Sequence, residues 1–214
     1  MYPINLMLEG RRCLVVGGGT VAERKVTSLL AAGAAVTVIA PAVTIQLRQW
    51  WMQGRLEWLC RAFEISDVAG YFLVICATSD SAANAAAAAA GRSGSVLVNV
   101  VDQPALCNFT VPSVFCQGDL VLTASTNGKA PAMSRWFRQH WQTAYGEGYG
   151  QWLDFLGLFR LAVQRQVPSA QERQIFWRNA LSDQVMDLVG LGLLAEAESV
   201  MEQALADFIR RQSK

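Results

Sequence analysis

The sequence predicts an α/β fold: a parallel-sheet domain, then a small α+β segment and a helical C-terminal domain. Three observations predict it. Apolar runs of strand length alternate with helix-length segments from residue 12 to residue 101. A glycine-rich loop sits between the first run and the first helix. Beyond residue 109 the alternation stops, and 151–211 is patterned as helix throughout. Strands alternating with helices favour a parallel sheet covered on both faces.

Each element has its own signal. RCLVVGG (12–18) reads as a buried strand, and VAERKVTSLLAAG (21–33) as a helix with Gly33 at its C′ position. AVTVIAP (35–41) is a second strand stopped by Pro41. TIQLRQWWMQG (44–54) is a helix and RLEWLCRAF (55–63) a third strand. YFLVICATS (71–79) is fully apolar and is expected at the sheet centre. AANAAAAAAG (82–91) fits a close-packed crossover helix better than a disordered tract, because it lies between two strands. SVLVNVV (95–101) is the fifth strand.

FTVPSVFCQGDLVLTAS (109–125) then reads as two strands around Gln117-Gly118, followed by a helix from Pro131 to Ala144. GEGYG (146–150) breaks the pattern. Ser169 and Glu172 form an S-x-x-E capping box for the helix QERQIFWRNAL. Gly190 and Gly192 interrupt before the final helical stretch. The expected domains are 1–111, 112–148 and 149–214.

Composition excludes several function classes. Charged residues are 16% of the 214 and the net charge is +1, so no polyanion-binding surface covers the molecule. Basic and aromatic residues do not interleave as a nucleic-acid platform would need. The N-terminus lacks a secretory leader, and no apolar window reaches the ~18 residues of a membrane helix. A soluble cytoplasmic protein is expected. The five cysteines form no C-x-x-C pair and are expected reduced and buried. His140 is the lone histidine, so no metal site of the Cys/His type is expected. Trp50, Trp51 and Trp152 are expected as packing anchors.

The glycine loop carries the first chemistry. Gly17, Gly19 and Ala22 give G-x-G-x-x-A, with a strand before and a helix after. Glycine at 17 permits the tight turn, glycine at 19 lets backbone approach a pyrophosphate, and Ala22 allows close helix packing. The helix N-terminus attracts phosphate. This is a Rossmann-type signal, and Gly17, Gly18, Gly19, Thr20, Val21 and Ala22 are its cofactor-binding candidates. The acidic residue that should end the second strand is missing, because the strand ends Ile39-Ala40-Pro41. No arginine takes its place. The residues leave NAD against NADP open, with NAD the expectation.

Several motifs together resemble one family. LVVGGGTVAERK…LLAAGAAVTVIAP, ICATSD, NVVDQP…NFTVPS and STNGKAPAMSRWFR stand in the order typical of the dehydrogenase/ferrochelatase module of siroheme synthase. The resemblance is close over residues 2–145 and looser in the tail. It implies NAD-dependent oxidation of precorrin-2 to sirohydrochlorin. In some members it also implies insertion of Fe2+ to give siroheme. It implies a homodimer joined through the segment after the nucleotide-binding domain, which makes 112–148 the dimerisation segment. Larger members carry a C-terminal methyltransferase domain, and a chain of 214 residues has no room for one. Thr20, Val21, Pro41 and Ala42 match family cofactor contacts. Thr78 and Asn99, at the ends of the fourth and fifth strands, complete the cofactor candidates. Ala130 stands where the family more often has serine.

The resemblance makes Asp102 the catalytic candidate. Dehydrogenation removes a hydride and a proton, and the proton needs a base within about 3 Å. The bland alternative is that Asp102 caps the turn before Pro104. A tetrapyrrole substrate carries many carboxylates and needs cations. Ser125, Thr126, Asn127, Gly128, Lys129 and Arg135 are the substrate-binding candidates, with Arg138 and His140 nearby. The competing reading is a solvated helix face with Trp136 and Phe137 in the core. Arg24 and Lys25 are left outside the site, because backbone already serves the phosphates. Two rival functions remain. One is a non-catalytic, nucleotide-dependent tetrapyrrole carrier or sensor. The other is a dehydrogenase of another small molecule, against which stands the lack of a Tyr-x-x-x-Lys pair.

Overall fold

The computed structural model describes residues 1–94 and 96–212. Five parallel strands form one sheet: β1 (Arg12–Val16), β2 (Ala35–Ile39), β3 (Glu57–Leu59), β4 (Leu73–Cys76) and β5 (Leu97–Val100). Their order is β3-β2-β1-β4-β5. Interior strands are apolar on both faces because helices cover both. Cys13 and Val15 of β1 pack with Ala22, Val26 and Leu29 of α1 (Thr20–Ala31) and Leu47 of α2 (Ile45–Met52). Leu14 and Val16 pack the other way, with Ala87 of α3 (Ser81–Ser93).

The alanine tract is that crossover helix. Asp80 caps α3, its carboxylate accepting from the N–H groups of Ala82 and Ala83. Alanine is the strongest helix former, and its small side chain lets α3 lie close on the sheet. At Gly91 even a Cβ would come within 2.5 Å of Val98 Cγ2.

β5 is an edge strand, and the chain returns along it. Asn108 donates its backbone N–H to Val98 O at 3.0 Å, and its Oδ1 accepts from Val98 N at 2.7 Å. The Cys107 thiol accepts from Val100 N at 3.2 Å. These groups stand in for a sixth strand and satisfy an otherwise bare edge.

A second compact unit begins at Pro112. Strands β6 (Ser113–Gln117) and β7 (Leu120–Ala124) form an antiparallel hairpin, followed by α4 (Pro131–Ala144), α5 (Gly148–Gln166), α6 (Ala170–Ala180), α7 (Asp183–Gly190) and α8 (Leu194–Gln212). Trp152, Phe159, Val163, Phe176, Val185 and Met201 lie in their core. Ser169 Oγ accepts from Glu172 N, the half of the expected capping box seen here. Gly192 has φ +77° and separates α7 from α8. Among the described residues, no helix is long and apolar enough to cross a membrane.

Some expectations need correction. β3 spans Glu57–Leu59, not 55–63: Arg61 turns the chain by donating to Leu59 O and pairing with Asp67. The sheet centre is β1, with β4 beside it. The predicted fifth strand began at Ser95, which lies outside the described residues; the strand is Leu97–Val100. GEGYG is not wholly a break, because α5 starts at Gly148. Gly150 lies close against the hairpin turn: a Cβ on Gly118 would approach Gly150 Cα to 3.0 Å, so the tight position is Gly118. Cys13 and Cys76 are buried, but Cys60 and Cys116 are exposed on strand-edge and hairpin surfaces. Trp51 is 45% exposed and Trp136 56%, so neither is a core anchor. Trp51 packs edge-on against Trp58 instead.

Candidate active site

Strand order reverses between β1 and β4, and ligands of such sheets bind at the carboxyl ends of the strands flanking that point. The glycine loop lies there. Gly17 donates its N–H to Ile39 O at 2.9 Å and has φ +116°. A Cβ on it would meet Ala77 O at 2.4 Å, so only glycine fits between β1 and β4. Gly18 is pinned on its other side. Its carbonyl accepts from Thr44 N at 2.9 Å, and a Cβ would strike Ala42 O at 2.0 Å. Gly19 has no atom within 4 Å of a would-be Cβ and faces open space.

Gly19 is also the N-cap of α1 and supplies no side-chain cap. The first backbone bond of the helix is Glu23 N to Gly19 O. The N–H groups of Thr20, Val21 and Ala22 therefore head a helix whose dipole favours an anion. The fold brings these residues together with Ala42, beside Gly18, and Thr78, whose N–H is 3.3 Å from the would-be Cβ of Gly17. Thr78 Oγ1 accepts from Asp80 N, fixing the loop after β4. Pro41 follows β2 and its carbonyl accepts from the Cys60 thiol. A pyrophosphate fits this cradle: open backbone, crowded glycines and a free helix N-terminus.

Asp102 sits past β5. Val101 N donates to Cys76 O at 2.9 Å, and Gln103 N to Val100 O at 3.2 Å, closing a turn with Asp102 at φ +62°. Left-handed backbone at a residue other than glycine is strained. The carboxylate accepts no hydrogen bond from any described residue, so it does not cap this turn. It is exposed, and its charged neighbour is Lys25 of α1.

The turn is braced from behind. The Cys107 thiol lies 3.3 Å from Val100 O and 3.4 Å from Gln103 O, besides accepting from Val100 N. Asn108 Nδ2 donates to Val96 O at 2.8 Å. Asn99, proposed from sequence as a cofactor contact, is buried, and its Nδ2 donates to Phe109 O at 3.1 Å. Its amide holds the returning segment.

The substrate-binding candidates belong to the second unit, in the loop from β7 to α4. Asn127 and Gly128 have φ +54° and +77°. Ser125 Oγ accepts from Asn127 N, and Thr126 Oγ1 accepts from Ala130 N at 3.1 Å. Both hydroxyls therefore shape the loop and the start of α4. Lys129 and Arg135 are exposed. His140 stacks on Trp136, ring centroids 5.0 Å apart.

Comparison with known proteins agrees with this geometry. Residues 4–113 match the model of an NAD(P)-binding family, and residues 148–205 match the sirohaem synthase dimerisation region. The chain belongs to this NAD(P)-binding family. It is 39% identical over 204 residues to the siroheme synthase of Pseudomonas paraeruginosa (strain DSM 24068 / PA7), covering 95% of this chain and 44% of that one. It is 36% identical over 203 residues to the siroheme synthase of Nitrosococcus oceani, covering 95% and 43%. The chain thus spans less than half the length of these relatives. A solved structure, "SirC, precorrin-2 dehydrogenase", superposes with a TM-score of 0.78 at 29% identity, over 95% of this chain and 98% of that one. The family's NAD(P)-binding region coincides with the unit that holds the glycine loop and Asp102.

From sequence alone, Lys25 is left outside the site, on the ground that backbone serves the phosphates. Its signal was its spacing: it follows Ala22 by three residues and precedes Leu29 by four, placing a cation on the sheet-facing stripe of α1.

Proposed function

We propose that the protein is a precorrin-2 dehydrogenase that oxidises its substrate to sirohydrochlorin with NAD, in siroheme synthesis. The observation that carries the reading is Asp102. Its carboxylate accepts no hydrogen bond from any described residue and stands on a strained turn, at the same carboxyl end of the sheet as the glycine cradle. The backbone of Gly17 to Ala22 holds the cofactor's pyrophosphate, with Pro41, Ala42 and Thr78 lining the approach. NAD, once bound, supplies the hydride acceptor. Asp102 takes the proton that leaves with the hydride, as general base. The same carboxylate can accept pyrrole protons when Fe2+ enters the ring as substrate, which is the chelatase reading. Lys129 and Arg135, helped by the loop Ser125–Gly128, hold substrate carboxylates. The reading takes the protein as a soluble cytoplasmic homodimer.

Anaerobic incubation with precorrin-2 and NAD tests it, with NADH formation followed by absorbance. Asp102→Asn is expected to lower kcat by about 10²-fold or more while the variant stays folded and binds NAD. Unimpaired turnover in that variant defeats the assignment. NADP run in parallel is expected to bind more weakly than NAD. A second phase with ferrous ion reports chelation separately.

A further inference from the structure

Lys25 is a cation that the proposed reaction has not yet used. It is half-buried on α1, in the stripe of Ala22 and Leu29 that faces the sheet. Val101 packs against the cluster formed by that stripe, and Asp102 is the next residue. Lys25 thus looks across at the Asp102 turn. Side chains on a helix lean toward its N-terminus, so the ammonium rises toward the crevice mouth. It lies one and a half turns into α1, about 9 Å along the axis from Gly19, whereas phosphate is served by the first turn.

Most other cations of this unit are engaged with rings or a carboxylate. Arg11 and Arg12, at the opposite end of the sheet, lie over the Phe72 and Tyr71 rings at 5.3 and 4.5 Å. Arg48 lies over Trp58 at 5.6 Å, and Arg61 is paired with Asp67. Arg24 beside Lys25 is exposed.

We propose that Lys25 binds a carboxylate of the substrate and so seats the tetrapyrrole beside Asp102. The inference rests on the function proposed above and adds a binding contact that reading lacks. A polycarboxylate substrate needs a cation next to the base, or the repulsion between its own carboxylates and Asp102 goes uncompensated. Burial holds the Lys25 ammonium below the usual lysine range, and Arg24 lowers it further, against the opposing pull of Asp102. A substrate carboxylate would return what burial removes. Among the described residues, Arg24 and Asp102 are the charged groups that act on it.

Steady-state kinetics of Lys25→Gln and Lys25→Arg test this. Loss of a charged hydrogen bond predicts a rise of about tenfold or more in KM for precorrin-2 in Lys25→Gln. In that variant kcat is expected to change by less than about threefold, and the NAD dissociation constant by less than about twofold. Lys25→Arg is expected to recover most of the affinity. In the parent enzyme KM should rise with pH before the ordinary lysine range is reached, and this rise should vanish in Lys25→Arg, because arginine stays charged. Unchanged KM overturns the proposal. So does a loss confined to kcat, or a parallel loss of NAD affinity. Sirohydrochlorin binding, read by quenching of tryptophan fluorescence, needs no turnover. If the parent makes no NADH, the function proposed above fails. Lys25 is then decided by this binding alone: about tenfold weakening in Lys25→Gln supports it, and equal binding overturns it.

Discussion

At the scale of single residues, the opening segment of the site shows what a sequence hides. NVVDQPALCNF contains three amides, a carboxylate and a thiol, each able to do chemistry. Three of them are spent on backbone. Asn99 holds Phe109 O, Asn108 completes the edge of β5, and Cys107 braces the turn. The Asp102 carboxylate, exposed and without a hydrogen bond among the described residues, is left for a ligand, as is the exposed Gln103 amide. A family pattern marks the carboxylate; nothing in the sequence marks the bracing, because a side chain bonding a backbone group across seven or ten residues leaves no periodic trace. Cys107→Ala removes the acceptor of the buried Val100 N–H. It is expected to cost about 1–3 kcal/mol of stability and to lower kcat through a displaced Asp102, with NAD affinity preserved. Cys107→Ser, which keeps a hydrogen-bonding group, should recover part of both. Denaturant unfolding and kinetics on the same samples check this, and parent-like kcat in Cys107→Ala would leave the thiol with packing alone.

At the scale of elements, the alternation of strands and helices was readable wherever period and punctuation agreed. The span of α4, Pro131–Ala144, matches the expectation to the residue, because Pro131 sets its first turn. β3 was overread because apolar residues continue beyond Leu59, whereas the Arg61–Asp67 pair bends the chain away. GEGYG breaks the pattern only up to Glu147, and its last three residues open α5, with Gly150 close against the hairpin turn. The alanine tract was readable from context, and its cap makes a test. Asp80 satisfies two N–H groups at the start of α3. Asp80→Ala is expected to destabilise the protein by about 1 kcal/mol, seen as a lower denaturant midpoint at constant slope, while Asp80→Asn retains most of the stability.

At the scale of the whole molecule, the question is what covers the second unit. Val114 pairs with Thr123 and Cys116 with Val121, so these four residues share one face of the hairpin. All four are exposed, while Phe115 on the opposite face is 6% exposed. A two-stranded hairpin is marginal by itself and presents unpaired edges, which favours association. Met133 and Trp136 of α4 add exposed apolar surface in the same segment. The family model places a dimerisation region at 148–205, whereas the resemblance stated from the sequence implies 112–148. The two can be told apart. If the hairpin face joins two copies, Val121→Lys buries an unpaired charge in the interface, and the dimer dissociation constant rises by about tenfold or more, equivalent to about 1.4 kcal/mol per decade. Sedimentation velocity at micromolar protein would then show a dimer in the parent and a monomer in the variant. A variant that stays dimeric moves the joint to the helical region, where Leu158 at 72% and Leu191 at 74% exposure are the next residues to charge. A parent that sediments as a monomer removes the homodimer from the proposal, with the glycine cradle and Asp102 untouched because both lie within the first unit.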